Sequence, residues 1–118
     1  MMGTGQPDIG FVSLWGEYDC ARIDELNEQL SKIKNADIVL IDMRDVAYAD
    51  SSALTCLIRL KKHMAWNRGP GAVRLIGCTR AVRRAVEVTG LDGTFEMYGS
   101  VKDALGNLGY LRCVQTAG

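Results

Sequence analysis

The stretch "IVLIDMRDVAYADSSAL", residues 38–54, contains the features that decide the fold. Its four leading aliphatic residues predict a strand, placed over 36–43, that is covered on both faces of a sheet. A helix is predicted to follow from Ala53 to about Trp66, and the segment "NRGPG" ends it. An aspartate and two serines lie between this strand and this helix. Both residue types favour a helix start, so these serines either cap the helix only or also carry chemistry.

Short apolar runs and amphipathic segments alternate along the rest of the chain. The runs at 9–16, 72–78 and 95–99 predict three further strands. Helices are predicted at about 20–34 with Asp19 as cap, at 80–88, and from a capping box of Ser100 and Asp103 to about Leu111. This alternation with short connections predicts an α/β domain, with a mixed or parallel sheet of about four strands flanked by about four helices.

The composition limits the classes of partner. The 118 residues include 14 basic and 14 acidic side chains, so the formal net charge is zero and gives no general attraction to nucleic acid or anionic lipid. The length and 47% hydrophobic content fit a single domain over 1–118, with 1–8 as an extended or disordered N-terminus. No apolar stretch approaches the ~18 residues of a membrane span, and nothing resembles a signal peptide. A cytoplasmic protein is therefore expected.

The sequence gives no sign of a catalytic or metal site. Its four cysteines (Cys20, Cys56, Cys78 and Cys113) are far apart and have no metal-binding spacing with the single histidine. No general base, nucleophile pair or metal cluster converges, so neither enzyme activity nor a cofactor is expected.

The position of Asp50, Ser51 and Ser52 favours a regulatory site. In parallel α/β sheets, binding sites gather beyond the carboxyl ends of strands, where helix N-termini point. The N–H groups of the first helical turn have no intrahelical partner, and the helix dipole adds a partial positive charge. A phosphate on either serine is compatible with the fold, while its charge of about −1.5 to −2 changes the local surface. A simple cap and a binding switch both remain open on local sequence alone.

Three segments, "LWGEYD", "IVLIDMRDVAYADSSAL" and "VTGLDGTFEMYGSVKDAL", resemble the STAS family in their order and spacing. Within that family they are most similar to the bacterial anti-sigma factor antagonists, and the resemblance extends from about Phe11 to Leu105. The Asp-Ser-Ser motif behind an aliphatic strand is its most specific part. In the family, the first serine after the aspartate is phosphorylated by a kinase that is also an anti-sigma factor. The resemblance therefore implies Ser51 as the phosphorylation site, with Ser52 and Thr79 as weaker candidates.

The resemblance also implies partners and contact residues. It implies binding to an anti-sigma factor with serine-kinase activity, release by phosphorylation and regulation of sigma-factor-dependent transcription, with a serine phosphatase as a further partner. Direct nucleic-acid contact is not expected. The family's Gly-Glu-x-Asp turn lies near the serine, so the implied partner-binding residues are Glu17, Asp19, Asp50, Ser51, Ser52 and Ala53.

Two departures from the family pattern affect these expectations. Relatives usually have glycine at the position of Ala53, where glycine lets a partner's backbone approach closely. Relatives also begin with an additional strand, whereas "MMGTGQPDIG" has no apolar run to form one. If that strand is missing, the sheet has an open edge that favours a homodimer or a partner strand.

Other interpretations remain. A phospho-aspartyl receiver would use Asp42 at a strand end, although Glu17 and Asp19 are too close in sequence to form its acidic pair. A STAS module could also serve a transporter, a lipid-transport complex or a small-ligand sensor.

Arginines and tryptophans outside the motif carry further predictions. Three arginines share one predicted helix face: Arg80, Arg83 and Arg84. Together with Arg74 they form a basic patch, or they are simply the solvated face of a helix. Trp15 and Trp66 are predicted to pack in the core and at its rim.

Overall fold

The computed structural model describes residues 8–69, 71–88 and 95–106. Within these ranges four strands form one sheet: β1 (Ile9–Tyr18), β2 (Ile38–Ala49), β3 (Val73–Ile76) and β4 (Glu96–Tyr98). Four α-helices accompany them: α1 (Ile23–Ser31), α2 (Ser51–Arg68), α3 (Arg80–Val88) and α4 (Val101–Leu105). The strands are all parallel and lie in the order β1-β2-β3-β4. The predicted α/β fold is confirmed.

The length of strand pairing decreases across the sheet. The β1–β2 ladder has nine register pairs, the β2–β3 ladder has four, and the β3–β4 ladder has three. β2 is longer than the predicted 36–43 because it continues beside β1 through two irregularities in register. Along this extension only Val46 and Ala49 are buried, so the apolar run that predicted the strand ends early in the sequence.

The core occupies both faces of the sheet. Of the four aliphatic residues predicted to be covered in β2, Val39, Leu40 and Ile41 are fully buried and Ile38 is half-buried. The larger apolar cluster packs α1, α2 and α3 against one face and includes Leu26, Leu57, Met64 and Val82. The smaller cluster joins Leu40 and Ile76 to Ala104 and Leu105 of α4 on the other face. β2 is therefore an interior strand whose first half is covered on both faces.

Gly77, directly after β3, occupies a position that requires glycine. Its φ is +66°, which disfavours other residues, and an added Cβ would overlap Cγ of Arg44. Its N–H donates to the carbonyl oxygen of Tyr98 (2.7 Å). The end of β3 is thus fixed against both β2 and β4.

Several element predictions need correction. The helix predicted over 20–34 begins as a 3₁₀ turn (Cys20–Arg22) and becomes α1 only at Ile23. Trp15 and Trp66 do not pack as predicted, since they are 60% and 89% exposed. The predicted helix end at Leu111 lies outside the described residues.

Two predictions concern the N-terminus: an extended or disordered segment over 1–8, and the absence of the family's first strand. Both fall largely on residues 1–7, which lie outside the described residues. Among the described strands, β1 is at an edge of the sheet. None of the described helices combines the length and apolarity that crossing a bilayer requires.

Candidate functional site

The junction between β2 and α2 is fixed by Asp50. Its N–H donates to the carbonyl oxygen of Tyr18 (3.0 Å), which ties the end of β2 to β1. Its carboxylate accepts a hydrogen bond from the N–H of Ala53 (3.0 Å), so Asp50 is the N-cap of α2. The sequence left open whether the serines cap this helix, and the structure shows that Asp50 is the cap.

Ser51 and Ser52 are the first two residues of α2, and both are exposed. The carbonyl oxygen of Ser51 accepts a hydrogen bond from the Thr55 hydroxyl (2.8 Å). Within the described part of the chain, neither serine hydroxyl is hydrogen bonded. Both hydroxyls are therefore available for chemistry without loss of a structural contact.

The register of β1 and β2 brings the Gly-Glu-x-Asp turn to this junction. Glu17 pairs with Tyr48 and Tyr18 pairs with Ala49, so the turn lies beside the start of α2. Glu17 and Asp19 are exposed, and the Asp19 carboxylate accepts a hydrogen bond from the N–H of Ala21 (2.9 Å). The register thus places the end of the turn beside the strand end that precedes the serines, and a partner-binding role for its acids stays a prediction.

Arg22 holds this turn in place, a role that the sequence did not reveal. Its guanidinium donates to the carbonyl oxygens of Trp15 (2.8 Å) and Glu17 (3.1 Å) and lies 4.0 Å from the ring centroid of Tyr18. It also pairs with Glu25 (2.7 Å), and this hydrogen bond lowers the pKa of the Glu25 carboxyl. The three-residue spacing between Arg22 and Glu25 was the available signal. The turn beside Ser51 is thus a fixed surface.

A shallow groove of about 400 Å³ runs between the start of α2 and α3, and we call it the Ser51 groove. One wall comes from the β2–α2 junction and consists of Tyr48, Ala49, Asp50, Ser51 and Leu54. The other wall comes from α3 and consists of Ala81, Arg84, Ala85 and Val88. Most of these side chains are apolar, and Val88 is 77% exposed. Exposed apolar surface beside a modifiable hydroxyl suits a protein contact.

The two serines differ in their relation to the Ser51 groove. Ser51 lines it, whereas Ser52 is exposed but is not part of either wall. Ala53 is only 1% exposed and belongs to the core, so its methyl group presents no surface to a partner. The departure from the family's glycine is accommodated inside the fold.

The Thr79 hydroxyl is engaged at the start of α3. It accepts from the N–H of Val82 (3.3 Å) and donates to the carbonyl oxygen of Val46 (3.0 Å). Thr79 therefore caps α3, and a phosphate on its hydroxyl would break its contact with β2.

Arg74 does not contribute to the predicted basic patch. It is 7% exposed, and its guanidinium donates to the carbonyl oxygens of Gly71 (2.9 Å) and Ala104. Arg80, Arg83 and Arg84 are exposed on α3. The basic patch is therefore limited to one helix.

The structure argues against a phospho-aspartyl receiver. Asp42 lies within β2, not at its end, and is 6% exposed. Both of its carboxylate oxygens are held by the Arg44 side chain (2.9 and 2.6 Å), which lowers the pKa of Asp42. An aspartate enclosed in this way is not accessible to a phosphodonor. In the described ranges, no group of three or more His, Cys, Asp or Glu side chains is arranged to hold a metal ion.

These features define a small parallel α/β domain with an exposed, largely apolar groove where its two longest strands end. The chain belongs to the STAS domain family, whose sequence profile matches residues 2–104. The predicted resemblance is therefore confirmed. No match to a curated protein was found by sequence.

Solved structures share this fold. An anti-sigma factor antagonist from Mycobacterium paratuberculosis is 25% identical, with a TM-score of 0.73 and 85% of each chain covered. The anti-sigma factor antagonist SpoIIAA of Bacillus, in its unphosphorylated form, is 15% identical, with a TM-score of 0.72 and coverage of 94% of this chain and 97% of that chain. A sulfate transporter family protein from Wolinella succinogenes is 17% identical, with a TM-score of 0.68 and coverage of 84% and 83%.

Proposed function

We propose that this protein is an anti-sigma factor antagonist whose partner is an anti-sigma factor with serine-kinase activity. In this proposal the unphosphorylated surface around Ser51 captures the kinase and thereby frees a sigma factor. Phosphorylation of Ser51 ends the capture, and a serine phosphatase restores it. The proposal places the protein in the cytoplasm, where ATP and the transcription machinery are found.

One observation carries this proposal: Ser51 is exposed at a helix start, its hydroxyl makes no hydrogen bond to the described residues, and it forms part of the wall of an apolar groove. The 25% identical antagonist from Mycobacterium paratuberculosis supports the same class of function. Ser52 shares the exposure but lies outside the Ser51 groove, which favours Ser51 as the switch. The end of β1 supplies the acids Glu17 and Asp19, beside the end of β2.

The proposed modification is a transfer of the γ-phosphoryl group of ATP to the Ser51 hydroxyl. A bond forms between Oγ of Ser51 and the γ-phosphorus of ATP, the bond from that phosphorus to the β–γ bridging oxygen breaks, and ADP leaves. The hydroxyl proton passes to a base of the kinase. The helix N-terminus stabilises the added charge within this domain. A partner interface that covers the same charge would pay several kcal/mol for its desolvation.

Incubation with candidate anti-sigma kinases and ATP, followed by mass-spectrometric mapping, tests this proposal. We expect one phosphate on Ser51 in the wild-type protein and in the matched control Ser52→Ala. Ser51→Ala should bind the kinase and stay bound in ATP. Ser51→Glu should bind at least ten-fold more weakly, since a buried unpaired charge is costly.

Two outcomes would overturn the proposal. Phosphate on Ser52 or Thr79 would reject Ser51 as the switch, and unchanged binding by Ser51→Glu would reject charge as its mechanism. Absence of binding to every anti-sigma kinase, with capture by the cytoplasmic part of a transporter, would instead assign the domain to the transporter class. The structural match to a sulfate transporter family protein is the reason to include that arm.

A further inference from the structure

Arg84 is the positively charged side chain of the Ser51 groove. It lies on the α3 wall, opposite the wall that contains Ser51, and no other described lining residue carries a positive charge. Arg84 is exposed, and it makes no hydrogen bond or ion pair within the described part of the chain. Its guanidinium is therefore available to an anionic group within the groove.

The acidic residue of the same groove does not fill that role. The Asp50 carboxylate lines the β2–α2 wall, but it is engaged as the cap of α2 through the N–H of Ala53 (3.0 Å). A phosphate on Ser51 would be repelled by Asp50 on its own wall. The same phosphate would be attracted by Arg84 across the groove. Arginine pairs with phosphate through two parallel hydrogen bonds, which are among the strongest in proteins.

We propose that Arg84 receives the phosphate of phospho-Ser51, so that the modified side chain bridges the Ser51 groove from α2 to α3. This inference rests on the proposed function, because it takes Ser51 as the modified residue. The bridge spans a groove whose exposed apolar residues include Ala81 and Val88. Phosphorylation then ends partner binding in two ways: it adds charge, and it covers the apolar surface that a partner would contact.

α3 provides a matched control for this role. Arg83 is the preceding residue of the same helix and is also exposed, but it is not part of the groove wall. Arg84→Gln and Arg83→Gln remove the same charge from adjacent positions. Any effect of total charge or helix propensity is therefore shared, and only contact with the phosphate separates the two variants.

The test uses phosphoserine encoded genetically at position 51, which requires no kinase. Titration by ³¹P NMR measures the second ionisation of the phosphate, which has a pKa of about 6 in a free phosphoserine. We expect this pKa to be about half a unit or more higher in Arg84→Gln than in wild type, because the guanidinium favours the dianion. Arg83→Gln should match wild type. Equal pKa values in all three proteins would overturn the inference.

A second measurement observes the arginine directly. In ¹H–¹⁵N spectra the Nε–H signal of Arg84 should shift on phosphorylation, while that of Arg83 should not. If neither signal moves, the phosphate does not reach α3. Because these proteins carry phosphate without a kinase, a failed kinase assay leaves this result intact. A kinase that modifies Ser51 in a protein with unchanged arginine signals would reject only the bridge.

Discussion

At the scale of single residues, Asp50 and Ser51 differ in their contacts at the start of α2. The aspartate caps the helix and ties β2 to β1, while the hydroxyl beside it makes no hydrogen bond to the described protein. The sequence is ambiguous here because aspartate and serine are equally good caps. The structural role at this junction therefore belongs to Asp50, and the Ser51 hydroxyl is left exposed.

This division predicts different effects on stability. Asp50→Ala should lower the free energy of unfolding by about 1 kcal/mol, since it removes the cap of an 18-residue helix. Ser51→Ala should change it by less than about 0.5 kcal/mol, as is usual for exposed substitutions. Urea unfolding of the two variants measures both effects. A loss in Ser51→Ala as large as that in Asp50→Ala would show that the hydroxyl has a structural role.

The residues of the site were only partly predictable. The sequence indicated Ser51 and the turn with Glu17 and Asp19, because a motif and its spacing are local properties. It missed Arg22 as the clamp of that turn, since this role depends on how β1 and the 3₁₀ turn fold back on each other. It grouped Arg84 with the buried Arg74, because charge alone does not tell which wall of a groove a side chain joins.

At the scale of elements, β2 combines a buried apolar half with a polar half that continues to Ala49. Asp42 lies near the transition, and Arg44 binds its carboxylate from two residues along the same strand. The sequence predicted the apolar half but not the rest. The continuation is specified by pairing with β1. Strand length is thus partly a tertiary property.

The Asp42–Arg44 contact predicts a dependence of stability on acid pH. Because hydrogen bonds from Arg44 lower the pKa of Asp42 in the folded protein, its stabilisation is fully present above the unfolded pKa of about 3.9. It is lost as pH falls from there through the lower folded value. Asp42→Asn should therefore be less stable than wild type at pH 7, and the difference should shrink below about pH 4.

Urea midpoints at several pH values between 7 and 3 test this expectation. Asp24→Asn is the control, since it removes an exposed carboxylate of α1, whereas Asp45 itself interacts with Arg44. A stability difference for Asp42→Asn that stays constant over the whole range would exclude the ionised contact as its cause.

At the scale of the whole molecule, strand pairing is uneven. Nine register pairs join β1 to β2, but three join β3 to β4. Native-state hydrogen exchange should therefore show slower exchange for the central amides of β2, near Leu40, than for those of β4. β4 and α4 are expected to open together in a local event. Equal free energies of opening for β2 and β4 would show that the described sheet unfolds only as one unit.

Each described strand pairs with the strand that precedes it in the chain, and this order bears on how the protein is made. A ribosome releases the amino-terminal part first, so β1 and β2 with α1 and α2 can assemble before β3 is available. Each later strand then closes only a short loop, which keeps the entropic cost of adding it small. The strand–helix junction that contains Ser51 emerges in the first half, whereas Arg84 emerges with the second. The emerging chain therefore forms the hydroxyl side of the groove before the side that completes it.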